Sequence, residues 1–287
     1  MANNVKRKAI QLMSTSPGYR ETFRGHVPAW HCDAVEHFTV AYYFERLERA
    51  TARLLLDLGL DPMGAEAPRH RDFFVRYMSE LRVGSVFVIE SGIIDVSATK
   101  LHLGHRIIDS ASGEVCTSVE HWLEGESVAQ LTDEARVEWD GANRDAREVP
   151  DGANWVASGT DIMMRGELDT FERMQLSGFI HRFSGSGGHL MNQFGWTAKY
   201  ANENRVGFST FEFQLEVFDT PNLGTALDLQ ACIAKVGGSS VHMVHRMLDA
   251  MTGKQLAVLH QLGVHLDKDA RRPSRIPDHI RQAVLGA

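Results

Sequence analysis

The sequence predicts an α+β protein made of two tandem copies of one unit, each a strand, a long helix and four further strands. Three observations carry this. One stretch with helical period ends at Leu58 and is followed by four β-branched and aromatic runs. The same order of elements returns after a polar interval. Residues 101–114 (L-H-L-G-H-R-I-I-D-S-A-S-G-E) align without gaps on residues 241–254 (V-H-M-V-H-R-M-L-D-A-M-T-G-K). In that window His102/His242, His105/His245, Arg106/Arg246, Asp109/Asp249 and Gly113/Gly253 are identical, at an offset of 140. A repeat this long is a duplicated domain rather than a solenoid unit. Domain limits of 1–125 and 171–287 are expected, joined by a linker over 126–170.

The elements follow in order. Residues 1–20 carry a short amphipathic piece and then S-T-S-P-G-Y, a loop. Residues 21–30 read as a strand broken at Pro28. Phe44, Leu47, Thr51, Leu54, Leu55 and Leu58 recur at spacings of three and four with Glu and Arg between them, which predicts a helix stopped by Gly59. Residues 60–70, with two prolines, form a connector. F-F-V-R-Y, S-V-F-V-I-E-S-G-I-I-D-V, T-K-L-H-L-G-H-R-I-I-D and E-V-C-T-S-V-E-H-W-L are four strands, with a turn over 109–113. Residues 124–170 are polar and read as a surface linker with a helical turn or two over 131–139. The second copy reads as a strand over 174–182, a weak helix over 187–200 and four strands between 206 and 267. A short helix ends the tail. The offset upstream of the repeat is taken as 149, which sets Arg182 opposite Asp33 and leaves the second copy nine residues shorter.

The 287 residues are 43% hydrophobic, enough for one large or two medium cores, and the formal net charge of -7 gives no support for nucleic-acid binding. No apolar run has membrane-spanning length and no signal-peptide core is present, so a cytoplasmic protein is expected. Cys32, Cys116 and Cys232 form neither a disulfide framework nor a zinc pattern. Cys32, beside Asp33, is weighed as a nucleophile against the commoner buried, inert thiol. The twice-repeated H-x-x-H-R suggests a metal, but residues three apart on a strand face opposite sides of the sheet, so no metal site is expected.

Chemistry concentrates just before the first helix, where a carboxylate, Asp33, stands four residues ahead of His37. A carboxylate and an imidazole beside exposed helix N–H groups can bind, polarise and attack a carbonyl. The stretch D-A-V-E-H-F-T-V-A-Y-Y, inside a duplicated strand, helix and four-strand pattern, resembles the motif of the 4-hydroxybenzoyl-CoA thioesterase-like family. Asp33, His37, Ala41, Tyr42 and Tyr43 match; Glu36 stands where Gly is usual and Thr39 where Asn is usual. The resemblance implies a double hot-dog fold, in which each antiparallel sheet wraps a central helix, and a site shared between the two copies.

It further implies an acyl-CoA thioesterase, with coenzyme A as part of the substrate and no other cofactor. Asp33, His37 and Thr39 are then expected in catalysis, with backbone N–H groups near His37, Phe38 and Thr39 as the oxyanion site. Trp30, Phe38, Tyr42, Tyr43, Arg182, His189 and Asn192 are expected to bind substrate. Asp33 acts as general base or as nucleophile, and the residues do not separate the two. Such subunits are expected to form homo-oligomers. An enoyl-CoA hydratase or dehydratase and a non-catalytic acyl-CoA-binding protein are the alternatives.

Overall fold

The computed structural model describes residues 17–169 and 171–286. The amphipathic piece expected near the N-terminus lies outside them. The chain begins with strand β1 (Arg20–His26), passes a single 3-10 turn at Ala29–His31, and enters helix α1 (Val40–Asp57). Alternation of buried and solvent positions then generates β2 (Arg69–Tyr77), β3 (Val86–Val96), β4 (Lys100–Asp109) and β5 (Val115–Glu124). The second half repeats the series as β6 (Val156–Ile162), helix α2 (Leu176–Gln193), a short helix α3 (Ala198–Glu203), then β7 (Val206–Val217), β8 (Ala226–Val236), β9 (Ser240–Asp249) and β10 (Gln255–Asp267). A two-residue strand β11 (Arg272–Pro273) and helix α4 (Asp278–Leu285) close the chain. Among the described residues, no helix is long and apolar enough to cross a membrane.

Three expectations from the sequence are corrected. The segment 174–182 is not a strand: from Leu176 it is the first half of α2, which runs unbroken through the glycines to Gln193. The interval 124–170 is not structureless: it holds a 3-10 turn at Glu126–Leu131, rather than over 131–139, and strand β6, which pairs with β8 as β1 pairs with β3. The upstream offset is not 149. Helices α1 and α2 begin at residues 40 and 176, 136 apart, whereas β3 and β8 begin at 86 and 226, 140 apart. The second copy is therefore four residues longer between helix and sheet, the room taken by α3.

The described strands join one antiparallel sheet in the order β1-β3-β4-β5-β2-β7-β10-β9-β8-β6, with β11 paired to β10 off this path. The halves meet at β2 and β7, where Phe74 lies opposite Gln214. Each half wraps one helix, and the two helices pack against each other across the seam, as a double hot-dog fold requires. One apolar core runs through both halves: Phe44 of α1 contacts Phe73 and Phe213 at ring-centroid distances of 5.3 and 6.2 Å, and Phe179 and Phe183 of α2 belong to the same cluster. The repeated hairpins close alike. Gly113 and Gly253 sit at φ 78 and 72°, and each donates its N–H to the Asp four residues earlier at 2.8 Å.

Candidate active site

Asp33 organises the loop that starts α1. Its Oδ1 accepts the N–H groups of Val35 (2.9 Å) and His37 (3.0 Å), while its own N–H donates to the His37 carbonyl at 2.9 Å. This closed loop forces Glu36 to φ 63° and delivers Thr39 as the residue preceding the helix. It also uses up the donors expected to form the oxyanion site. The amide of His37 is on Asp33, that of Phe38 on the Leu81 carbonyl (2.8 Å) and that of Thr39 on the His31 carbonyl (2.9 Å). The unspent donors lie one step inside the helix, where the first N–H groups have no intrahelical acceptor, and Val40 lines open space.

That space is a cavity of about 960 Å³ across the seam. Asp33, His37, Phe38, Thr39, Val40 and Tyr43 line one wall, and Ser184, Gly185, Gly187, Gly188, His189 and Asn192 of α2 line the other. The glycines are functional in shape: a Cβ on Gly185 or Gly188 would meet nothing within 4 Å, so this helix face stays flat and open. Asp33 is exposed and its Oδ2 has no hydrogen-bond partner among the described residues. The His37 ring sits between Glu80 (Nε2 to Oε1, 2.8 Å) and Arg271 (2.6 Å), the latter contributed by the C-terminal tail.

Three expected substrate contacts lie elsewhere. Trp30 is 77% exposed and outside the cavity. Tyr42 stacks on His31 at 3.7 Å and meets His181 edge-on; its neighbour Tyr43 takes the cavity position. Arg182 is buried and ion-paired with Asp161 (2.8 Å) and Glu167 (2.9 Å), so its charge is already neutralised. Other basic residues of the first half are likewise paired: Arg71 with Glu124, Arg76 with Glu212 and Arg82 with Glu36. Burial, with Asp33 and Glu36 adding to it, pushes the Cys32 thiol up, which disfavours the nucleophilic thiolate.

A thioesterase-like superfamily model matches residues 27–146 and again residues 165–284. The chain belongs to the thioesterase-like superfamily. No curated protein matches it. Solved structures share the fold at low identity. The 12:0-ACP thioesterase from Umbellularia californica superposes with a TM-score of 0.63 at 12% identity, covering 89% of this chain and 94% of its own. An acyl-ACP thioesterase from Bacteroides thetaiotaomicron gives a TM-score of 0.60 at 10% identity, with 86% and 98% covered. The TesB protein of Mycobacterium avium subs paratuberculosis gives 0.51 at 10% identity, with 85% and 92% covered.

Both copies of this thioesterase-like unit carry the acidic loop. At the helix offset of 136, Asp33 corresponds to Asp169, Glu36 to Glu172 and His37 to Arg173. Asp169 Oδ1 accepts the amides of Phe171 (2.8 Å) and Arg173 (2.9 Å), and Glu172 sits at φ 56°. The expectation that Arg182 stands opposite Asp33 is therefore corrected; D-x-x-E before each helix was the available signal. Burial acts to raise the Asp169 carboxyl, but the amide and guanidinium of Arg173 outweigh it and hold it below the usual range. The loop opens into a second cavity of about 490 Å³, whose far wall is α1. Here Leu176 N–H, the counterpart of Val40 N–H, donates to Glu48 Oε2 at 3.2 Å. Burial pushes the Glu48 carboxyl up to about 7.

Proposed function

We propose that the protein hydrolyses acyl-CoA thioesters in the larger cavity. One observation carries the reading. An exposed carboxylate, Asp33, and Val40, whose N–H is unspent, line one space whose opposite wall is the glycine-lined face of α2. A thioester carbonyl placed there meets a donor for its developing oxyanion and a carboxylate for the attack. A single such donor contributes about 3 kcal/mol to the transition state in comparable sites.

Asp33 Oδ2 either takes a proton from water or attacks the carbonyl carbon itself; in both routes the C–S bond breaks and coenzyme A leaves as thiol. Tyr43 and Phe38 supply apolar wall for the acyl group, and His189 and Asn192 supply polar groups on the far side. Arg271 stands at the same cavity and, through His37, ties the C-terminal tail to the helix start. The thioesterase-like membership and the acyl-ACP and TesB structures of the same fold support this bond class.

Thiol release from a panel of acyl-CoAs by wild type and Asp33→Asn tests the reading, and equal rates would reject it. A single turnover in ¹⁸O-labelled water separates the two routes, because only the nucleophilic one leaves label in the Asp33 side chain.

A further inference from the structure

The second cavity holds a device that the first lacks. A chain of buried hydrogen bonds leads from it into the first hot-dog core. Thr22 Oγ1 donates to the Ile89 carbonyl at 3.2 Å, and Thr22 and Ser91 hydroxyls are 2.7 Å apart. Ser91 Oγ is 2.7 Å from His105 Nδ1, His105 Nε2 is 3.4 Å from His121 Nδ1, and His121 Nε2 is 2.8 Å from His70 Nδ1. With Thr22 donating to that carbonyl, each member can donate toward it, His121 Nδ1 then facing both His105 Nε2 and the buried Thr51 hydroxyl, each 3.4 Å away. Thr22 spends its proton on Ile89, Ser91 donates to Thr22, and His105, His121 and His70 each donate from Nδ1. In this arrangement the outermost ring, His70, keeps a lone pair on Nε2. That nitrogen has no hydrogen-bond partner among the described residues, and His70 lines the second cavity.

We propose that this cavity is a second hydrolytic centre for acyl thioesters, with His70 Nε2 as the proton acceptor. The substrate class rests on the function proposed above. His70 takes a proton from water, and the water oxygen adds to the thioester carbonyl carbon beside the start of α2. The C–S bond breaks with its electron pair on sulfur, and protonated His70 returns the proton to the thiolate. Water and thioester become acid and thiol. Leu55, Met174, Phe179 and Val217 give the cavity an apolar floor for the acyl group, and Arg69 on its rim makes no ion pair among the described residues, which leaves it for an anionic end. Burial holds His70 down at about 4, so its lone pair is available at neutral pH with the basicity of a carboxylate. The counterpart of His70 at the larger cavity is Thr210, which receives Gln261 Nε2 at 2.8 Å and cannot act as a base there.

The test compares thiol release by wild type, Asp33→Asn and Asp33→Asn/His70→Gln. A residual rate in Asp33→Asn that falls about 10²-fold in the double variant is expected. Because His70→Gln disturbs a buried chain, Asp33→Asn/Ala52→Trp, which fills the second cavity from the helix face, must remove the same residual rate. Titration with an S-alkyl thioether of coenzyme A should give two sites per chain and one in Ala52→Trp. Ring ¹⁵N shifts should show His70 as the Nδ1–H tautomer. An Nε2–H tautomer, one thioether site in wild type, or an Asp33→Asn rate untouched by either second change overturns the second centre. If Asp33→Asn alone abolishes turnover, the second centre falls and the first stands. A wild type that hydrolyses no thioester rejects both.

Discussion

Asp169 repeats Asp33 in mirror role: each carboxylate folds its own loop by accepting the amides two and four residues on, and each lies before a helix of 18 residues. The two loops differ at their last position, where Arg173 pairs with Asp169 but His37 does not pair with Asp33, and in what faces them. Across the larger cavity Ser184 and the glycines of α2 stand opposite Asp33, whereas Glu48 and Ala52 of α1 stand opposite Asp169.

We predict that Asp33→Asn keeps the fold and loses about 10²- to 10⁴-fold in the rate of the larger site. The Asn side-chain oxygen still accepts the amides of Val35 and His37, so circular dichroism and the unfolding midpoint should match wild type. A large fall in midpoint would show the carboxylate to be a loop pin only.

Gly188→Ala should stabilise the protein by about 1 kcal/mol, because glycine is a poor helix former and its Cβ meets no neighbour. Gly188→Phe should fill the larger cavity and raise KM for long acyl chains more than for short ones. Urea unfolding and steady-state kinetics read the two effects, and unchanged KM with Phe would place the substrate elsewhere.

Phe44→Ala removes the ring that joins both halves, since it packs on Phe73 of β2 and Phe213 of β7. We expect a loss of about 3–5 kcal/mol in a single unfolding transition. Two separated transitions would mean that the halves unfold independently.

Stability should fall on acidification below the ordinary histidine range. Burial lowers His70 and His245 to about 4 and His105 to about 3, whereas the unfolded chain takes up protons from 6.5 downward. The folded state therefore binds fewer protons between 6.5 and about 4 and loses up to about 1.4 kcal/mol per pH unit for each such ring. Glu48, raised to about 7 by burial, opposes this as a single carboxyl, regaining stability as pH falls toward 4.5. Urea midpoints at pH 7, 6 and 5 measure the slope, and His245→Gln should flatten it.

Much of the first half was legible because its helix and strands keep clean periods: α1 carries an apolar stripe and β2 to β5 carry β-branched, aromatic faces. α2 hid because it is rich in Gly and Ser and buried on several sides. Leu176, Phe179 and Ile180 read as a strand-like run until packing against α1 overrides propensity. β6, with Ser158, Gly159 and Asp161, is an edge strand with weak β character. In the site, the cavity gathers Asp33, His37, Phe38, Thr39, Tyr43, His189 and Asn192, whose identities stood out in the chain. Trp30 lies outside it because a loop has no period from which to read a face, and Tyr42, in the first turn of α1, packs on His31 and His181 instead. Arg182 was misassigned because the frame of the strand repeat does not extend through a four-residue insertion. The spent amides of His37, Phe38 and Thr39 depend on partners, Leu81 among them, that no local pattern announces.

The junction at β2 and β7 makes the two units neighbours for life, whatever the protein's concentration. In a pair of separate identical chains, any change in one cleft is copied into the other. Here a single codon alters one cleft alone, so Ser184 and Glu48, or Thr210 and His70, could part company and give one molecule two unlike workplaces.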